Sequence, residues 1–438
     1  MELARKLFKG DRVIWIIFMF LCAISAVEVF SATSTLAYKN ANHWEPIARH
    51  ASFLIAGALT VLVLHNVPYR LFALGILLLP VSILMLVVTP FIGVSANDAH
   101  RWLSILGFQV QPSEFAKLGC VIYVAFLLSR IGKFTERQVY RWILIGVGVT
   151  CVLILPENFS TAFMLFAICY MLMFVGRISW RRLVKLAGVL TLAMGFFVAI
   201  WFAIPDKEWE DLPVVGDAMD RVPTWKSRLI TMFAPDNADT LDTDELFNKE
   251  NYQVSHAKIA IARGGLSPQF PGHGVQRDFL PQAYSDFIYA IIIEEMGLLG
   301  GVAVLLLYLW LLVRVGMIAR KCDKLFPKFL VLGCGLILVV QALANMAVAV
   351  NLIPVTGQPM PLVSRGGTST VISCVYFGLI LSVSRFGAHI GNEDDTLEEP
   401  AKVAPGAPAV TEEEIANWVP DVPLETMKES DNQVERKV

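Results

Sequence analysis

Tyr284-Ser285-Asp286-Phe287-Ile288-Tyr289-Ala290-Ile291-Ile292-Ile293, continuing as EEMGLLGGVAVLLLYLWLLV to Val313, decides the fold. The apolar part of this run exceeds the roughly 20 residues a helix needs to cross hydrocarbon. It follows the chain's one long polar loop, and Asp286 stands at the junction. A carboxylate at the edge of hydrocarbon is costly, which marks Asp286 as a functional residue. Its place at the mouth of a membrane helix points to chemistry on a lipid-linked molecule.

Outward from this run the same pattern repeats. The 438 residues are 55% hydrophobic and 17% charged, with mean hydropathy +0.59, too little charge for a soluble domain of this length. Apolar runs lie at 13–36, 47–65, 71–93, 113–130, 142–156, 158–175, 183–204, 284–313, 328–350 and 361–387. The chain is therefore read as an all-α polytopic membrane protein of about ten transmembrane helices. Pro156-Glu157-Asn158 reads as a tight turn between two short spans. Cys22, Cys120, Cys151, Cys169, Cys322, Cys334 and Cys374 show no disulfide or metal spacing and read as soft core residues. The basic start runs into a span without a small-residue cleavage site, so no cleaved signal is expected. A net charge of -2 gives no case for nucleic-acid binding.

Loop charges set the expected orientation. Arg5, Lys6, Lys9 and Arg12 precede span 1, and Arg130, Lys133, Arg137 and Arg141 follow span 4. Arg177, Arg181, Arg182 and Lys185 follow span 6, while Arg314, Arg320, Lys321, Lys324 and Lys328 follow span 8. With ten spans these all share one side, cytoplasmic by the positive-inside rule. The division is then a cytoplasmic N-terminus at 1–12, helices 1–7 over 13–204, a large extracytoplasmic loop at 205–282, helices 8–10 over 283–387, and a disordered cytoplasmic tail at 388–438. Trp225–Phe233 mixes apolar and basic residues at helical spacing, suiting either the headgroup layer or packing on the span ends. Trp418 in the tail could dock a partner, or be no more than composition.

Four constellations face outward in this topology. Arg101 breaks the positive-inside tendency, as a residue kept to fork an anion would. It is followed by Gln111-Pro112-Ser113-Glu114 and Lys117, where Pro112 suits the first turn of a helix and Glu114 and Lys117 can pair on one face. Gln253, Lys258, Gly264-Gly265, Gly272, Gly274, Gln276 and Arg277 approach Asp286, as a cradle for phosphate or sugar or as a plain loop. Asp286 either acts or caps its helix; Glu294 and Glu295 lie deeper, with Glu294 on the same stripe or paired to a structural cation. Finally, Asn345 and the hairpin Pro354–Pro361 lead to Ser364-Arg365-Gly366-Gly367, small residues that allow close packing around an intramembrane arginine.

In order along the chain, these motifs resemble the SEDS family of peptidoglycan polymerases, from about residue 12 to residue 387. Arg101-Trp102, Gly107, Gln111-Pro112-Ser113-Glu114, Lys117, Tyr252-Gln253, Gly264-Gly265, Gln276, Leu280-Pro281, Asp286-Phe287-Ile288, Glu294-Glu295, Gly297, Pro354, Gly357, Pro359, Pro361, Ser364 and Gly366-Gly367 carry the likeness. The family's usual His-Thr before the acid is Tyr284-Ser285 here, its Gln-Pro-Asp-x-Gly-Thr turn is Leu155–Thr161, and its Tyr before the Gly-Gly is Arg365. A family Lys near the loop's end is Arg277. The tail and the Gln276–Ala290 string resemble the division branch; the Pro354–Gly357 hairpin leans to the elongation branch.

The resemblance implies a lipid II glycosyltransferase of the division septum, in the bacterial cytoplasmic membrane, working with a class B penicillin-binding transpeptidase and other divisome membrane proteins. Asp286 would be the general base. Arg101, Gln111, Ser113, Glu114, Lys117, Gln253, Lys258, Gln276, Arg277, Ser364 and Arg365 would meet substrate. Mg²⁺ or Mn²⁺ would enter through pyrophosphate oxygens, with no protein metal site and no organic cofactor. The competing readings are a lipid II flippase, an elongation polymerase and a scaffold.

Overall fold

The computed structural model describes residues 8–32, 44–96, 99–105, 108–203, 252–266, 268–280 and 283–395. Asp11 starts α1 (Arg12–Ala32) by accepting the N–H groups of Val13 and Ile14 on Oδ1, at 2.9 and 3.2 Å. After α2 (Trp44–Leu64), a 3₁₀ segment over Tyr69–Leu77 leads into α3 (Leu78–Ile92). Pro112 occupies the first turn of α4 (Pro112–Leu128), where its missing N–H costs nothing. Thr135 and Gln138 form a capping box that starts α5 (Glu136–Ile154) earlier than the apolar pattern alone suggests. The Asn158 side chain accepts from Thr161 N–H to begin α6 (Phe159–Val175), so the expected turn at Pro156 is present. α7 spans Trp180–Ala203.

Two short helices, α8 (Tyr252–Gly264) and α9 (Gln276–Phe279), precede the long α10 (Ile288–Arg320), α11 (Leu325–Ala349) and α12 (Thr368–Asp395). Ten helices thus occupy the positions of the ten expected spans. Among the described residues, seven stretches are long and apolar enough to cross a membrane, and Phe159–Val175 is a shorter apolar helix. α11 and the Thr368–Phe386 part of α12 are the most buried, while α1, α2, α3, α5 and α10 expose apolar faces of the kind lipid covers. The fold is a polytopic all-α membrane fold.

Three differences from the sequence reading matter for the site. The segment at 94–110, expected as plain loop, forms an antiparallel sheet of β1 (Val94–Ala96), β2 (Ala99–Ile105) and β3 (Phe108–Val110), with β2 in the middle and Leu103 opposite Val110. α10 starts at Ile288, leaving Asp286 in the preceding turn, and α12 starts at Thr368, leaving Arg365 before the helix rather than inside it. The loop expected at 205–282 carries α8 and α9 in its last third; Trp225–Phe233 and the tail with Trp418 lie outside the described residues.

α10 is also broken. Gly297 has φ 71°, and a Cβ there would stand 3.1 Å from the Leu266 carbonyl. That contact, with Leu298 N–H donating to Gly265 O at 2.9 Å, docks the chain after α8 against the break. α8 packs along α10, α10 along α11, and α11 along α4 and α6.

Candidate functional site

Asp286 does not cap α10. The N-cap is Phe287, with no side-chain cap bond, and the acid lies one residue further out, half-buried. Its turn is held from outside instead. Asn345 on α11 donates from Nδ2 to the Asp286 carbonyl at 2.9 Å and to the Gln358 carbonyl at 2.8 Å. Ser364 Oγ donates to the Ser285 carbonyl at 2.6 Å, and Arg365 N–H to the Tyr284 carbonyl at 2.9 Å. Ser285 Oγ donates to Asp286 Oδ1 at 3.0 Å. Segments 284–286 and 357–365 therefore run side by side. A Cβ at Gly357 (φ 65°) would sit 3.7 Å from Asp286 Oδ2, so the hairpin backbone approaches the carboxylate closely.

That hairpin is tied to the rest of the bundle. Gln358 Nε2 donates to Thr161 Oγ1 on α6 at 2.6 Å, and the Tyr308 hydroxyl donates to the Pro361 carbonyl. Gln341 Nε2 donates to the Pro359 carbonyl at 2.9 Å. The Gln341 Oε1 accepts from Lys117 Nζ at 2.9 Å, and that ammonium pairs with Glu114 at 2.7 Å. Lys117 and Glu114 are buried, at 0% and 4% exposure, so the pair acts through the Gln341–Pro359 link rather than on an open surface. Ser113 is buried beside them, and Gln111 is half-buried at the N-cap of α4. Sequence reading placed Asn345 and Gln358 in the hairpin motif and Thr161 in the 155–161 turn but missed Gln341. Polar side chains inside apolar spans were the available signal.

Arg365 is half-buried, and its guanidinium lies over the Tyr284 ring at 5.2 Å. These are two of the positions at which the chain departs from the family's usual pattern, and they touch. Burial lowers the Arg365 pKa, with Arg49 lowering it and Tyr284 and Glu45 raising it.

A second cluster forms deeper in α10 and corrects two expectations. Glu294 does not share a face with Asp286, because the turn at 286 is not helical. It accepts the N–H groups of Val275 at 3.0 Å and Gln276 at 3.1 Å and meets Arg263 at 3.6 Å. Glu295 accepts from Ser31 Oγ at 2.5 Å and meets Arg277 at 3.5 Å, while Arg277 also donates to Ser31 at 2.7 Å. Arg277 thus neutralises Glu295 and is not a cation placed beside Asp286. Gln276 is buried, its Oε1 2.6 Å from His256 Nδ1, and the His256 ring stacks on Phe279. Gly264 and Gly274 serve close packing, whereas a Cβ on Gly265 or Gly272 would meet nothing within 4 Å. A Cβ on Gly264 would collide with the Ile293 carbonyl, and one on Gly274 would lie 2.8 Å from Glu295. Gln253 and Lys258 are half-buried on α8.

Two further residues complete the account. Arg101 sits on β2, and its side chain lies outside the described set. Glu28 on α1 was missed by sequence reading, although an acid in an apolar 21-residue helix was the signal. It is wholly buried, and neither oxygen has a hydrogen-bond partner among the described residues. No group of three His, Cys, Asp or Glu side chains that could hold a metal ion occurs among them.

Comparison with known proteins agrees with this architecture. A family model described as "Cell cycle protein", covering FtsW, RodA and SpoVE, matches residues 11–389. The probable peptidoglycan glycosyltransferase FtsW of Thioalkalivibrio sulfidiphilus is 30% identical over 378 residues, covering 83% of this chain and 87% of that protein. The protein of the same name from Trichlorobacter lovleyi is 28% identical over 400 residues, covering 88% and 96%. Among solved structures, a chain of a peptidoglycan synthase complex that coordinates polymerisation and crosslinking superposes with TM-score 0.66 at 24% identity, covering 86% of this chain and 98% of that one. The rod-shape-determining protein RodA of Thermus thermophilus superposes with TM-score 0.58 at 22% identity, covering 86% and 97%.

Proposed function

Because the chain belongs to the FtsW/RodA/SpoVE (SEDS) family, we propose that it is a peptidoglycan glycosyltransferase polymerising lipid II at the division septum, with Asp286 as general base. The observation that carries the catalytic assignment is the clamp on Asp286. A half-buried carboxylate, its backbone fixed by Asn345 and Ser364, is pre-set where an acid only needed for capping would not be.

The 4-hydroxyl of the incoming lipid II N-acetylglucosamine is a poor nucleophile. Asp286 takes its proton as the oxygen bonds to C1 of the donor's reducing-end sugar. The C1–oxygen bond to undecaprenyl pyrophosphate breaks, and the pyrophosphate leaves with that electron pair. Cationic groups spread the leaving charge; Arg101 and Arg365 are the candidates, since Lys117 is neutralised by Glu114. A divalent cation, Mg²⁺ or Mn²⁺, would be held mainly by the pyrophosphate oxygens and supply further charge neutralisation there. The loop charges support an orientation with both termini cytoplasmic and Asp286 at the outer leaflet, where lipid II presents its sugars. A class B penicillin-binding transpeptidase is the expected partner, in keeping with the synthase-complex chain that this fold resembles.

Polymerisation of labelled lipid II by the purified protein with its transpeptidase tests the assignment. Asp286→Asn should cost about 10²–10⁴-fold in rate, the usual worth of general-base help. Wild-type rate in that variant ends the general-base role. Lipid II translocation in vesicles holding only this chain would favour the flippase reading instead.

A further inference from the structure

The cations near the site sort by what already neutralises them. Lys117 is paired with Glu114, Arg277 with Glu295, and Arg314 with Asp11. Arg365 makes no ion pair with any described residue, although it is half-buried. Its contacts with described residues are the backbone bond to Tyr284 and the stack on that ring, neither of which uses the guanidinium N–H groups. A partly desolvated guanidinium whose donors bond no described residue is a site for an anion.

Its surroundings favour the same ligand. Arg365 precedes Gly366 and Gly367, the latter with φ 53°, and α12 begins at Thr368. At the N-terminus of this 28-residue helix Ser369 and Thr370 already donate their N–H groups to the Gly366 and Gly367 carbonyls, so the helix contributes the positive end of its dipole. Thr370, in its first turn, is 1% exposed, and its Oγ1 has no hydrogen-bond partner among the described residues. That hydroxyl lies 3.6 Å from where a Cβ on Gly366 would stand, so it faces the glycine turn. Arg49 on α2 adds a second cation near Arg365 and Glu45 an opposing acid. The Phe53 ring lies 3.9 Å from where a Cβ on Gly367 would stand, an apolar neighbour of the same turn.

We infer that Arg365, the N-terminus of α12 and the Thr370 hydroxyl form an anion subsite that holds the pyrophosphate of a polyprenyl-linked substrate beside Asp286. This rests on the polymerase reading, because the backbone bonds at Ser285 and Tyr284 place Arg365 and Asp286 on adjoining segments. The planar fork suits phosphate oxygens, and the ring of Tyr284 keeps the guanidinium from collapsing onto the helix.

Binding of undecaprenyl pyrophosphate to the full chain in phosphatidylcholine nanodiscs tests the subsite without turnover. Arg365→Gln should weaken that binding by about tenfold or more, the usual loss for a charge-assisted hydrogen bond, and leave undecaprenol binding unchanged. Thr370→Val, a near-isosteric change that tests the same pocket if the arginine variant does not assemble, should weaken it by about fivefold. Unchanged affinity in either folded variant overturns the subsite. So does inorganic pyrophosphate binding as tightly as the lipid, because the ligand is then the free anion. The two readings fail separately. Lipid II polymerisation with binding indifferent to Arg365 removes the subsite and keeps the polymerase. Arg365-dependent lipid binding in a chain that polymerises nothing removes the polymerase and keeps the anion site.

Discussion

Replacing Asn345 by alanine tests whether Asp286 works because it is held. Asn345 is 1% exposed and bridges two strands of backbone with one amide, 2.9 Å to the Asp286 carbonyl and 2.8 Å to the Gln358 carbonyl. Each bond contributes about 1 kcal/mol net, and each buried carbonyl left without a donor costs about 1–3 kcal/mol. The side-chain cavity adds to this, so Asn345→Ala should destabilise the protein by about 2–4 kcal/mol. The effect on catalysis should be larger than on binding. Displacing a catalytic group by about 1 Å can cost on the order of 10²-fold in rate. Under the polymerase reading, substrate contacts away from the turn are untouched by this change, so kcat should fall with KM little changed. The assay is initial-rate polymerisation across lipid II concentrations, on protein whose monodispersity and melting temperature are measured in the same detergent. Asn345→Asp is the companion variant, because a carboxylate accepts where the amide donates and faces two carbonyls with no hydrogen to give. If Asn345→Ala melts lower but polymerises with wild-type kcat, the clamp stabilises the fold and does not place the base.

The Glu114–Lys117 pair gives a second prediction. Because both are buried, either Glu114→Gln or Lys117→Met alone should cost about 3–5 kcal/mol of stability, while the double variant should recover most of that loss in thermal unfolding. If the double variant is as unstable as the worse single one, the ion pair is specifically required. A third concerns Cys322, in the turn between α10 and α11. Burial pushes its thiol up to about 11 from 9.0, with Asp323 raising it and Lys328 lowering it. Its thiolate should therefore be scarce at neutral pH. Maleimide labelling of the Cys322 peptide, followed by mass spectrometry, should accelerate about tenfold per pH unit up to that value. A plateau near pH 9 would mean the thiol is solvated.

How much of this was legible in the sequence depends on which force sets each feature. Span positions were readable because crossing hydrocarbon imposes a length on apolar runs, and every helix α1 to α7 and α10 to α12 lies on an expected run. Span ends were less readable, because local capping sets them. Thr135 with Gln138 moves α5 outward, and Gly366-Gly367 moves the start of α12 inward. The 94–110 sheet was invisible, since its strands are three to seven residues long with little alternation. At the site, Asp286 and the pairing of Glu114 with Lys117 could be read from position and spacing. The partners of Glu294 and Glu295 could not, because Arg263, Arg277 and Ser31 come from distant parts of the chain.

The acids in and just before α10 differ in what holds them. Glu294 and Glu295 lie at full burial and are met by Arg263, Arg277, Ser31 and two backbone N–H groups. So surrounded, the two carboxylates anchor the chain around Arg263 and Arg277 to the helix. Asp286 is held differently. Its backbone is bonded on three sides through residues 284–286, and its side chain accepts from Ser285 and faces Gly357. A carboxylate fixed in place by its backbone is what a general base needs, since the proton must arrive from substrate. The same contrast distinguishes Arg277 from Arg365. Where the fold has neutralised a buried charge it has made structure; at Asp286 and Arg365 it has fixed the main chain of the two residues that, under the proposed function, meet the reacting molecule.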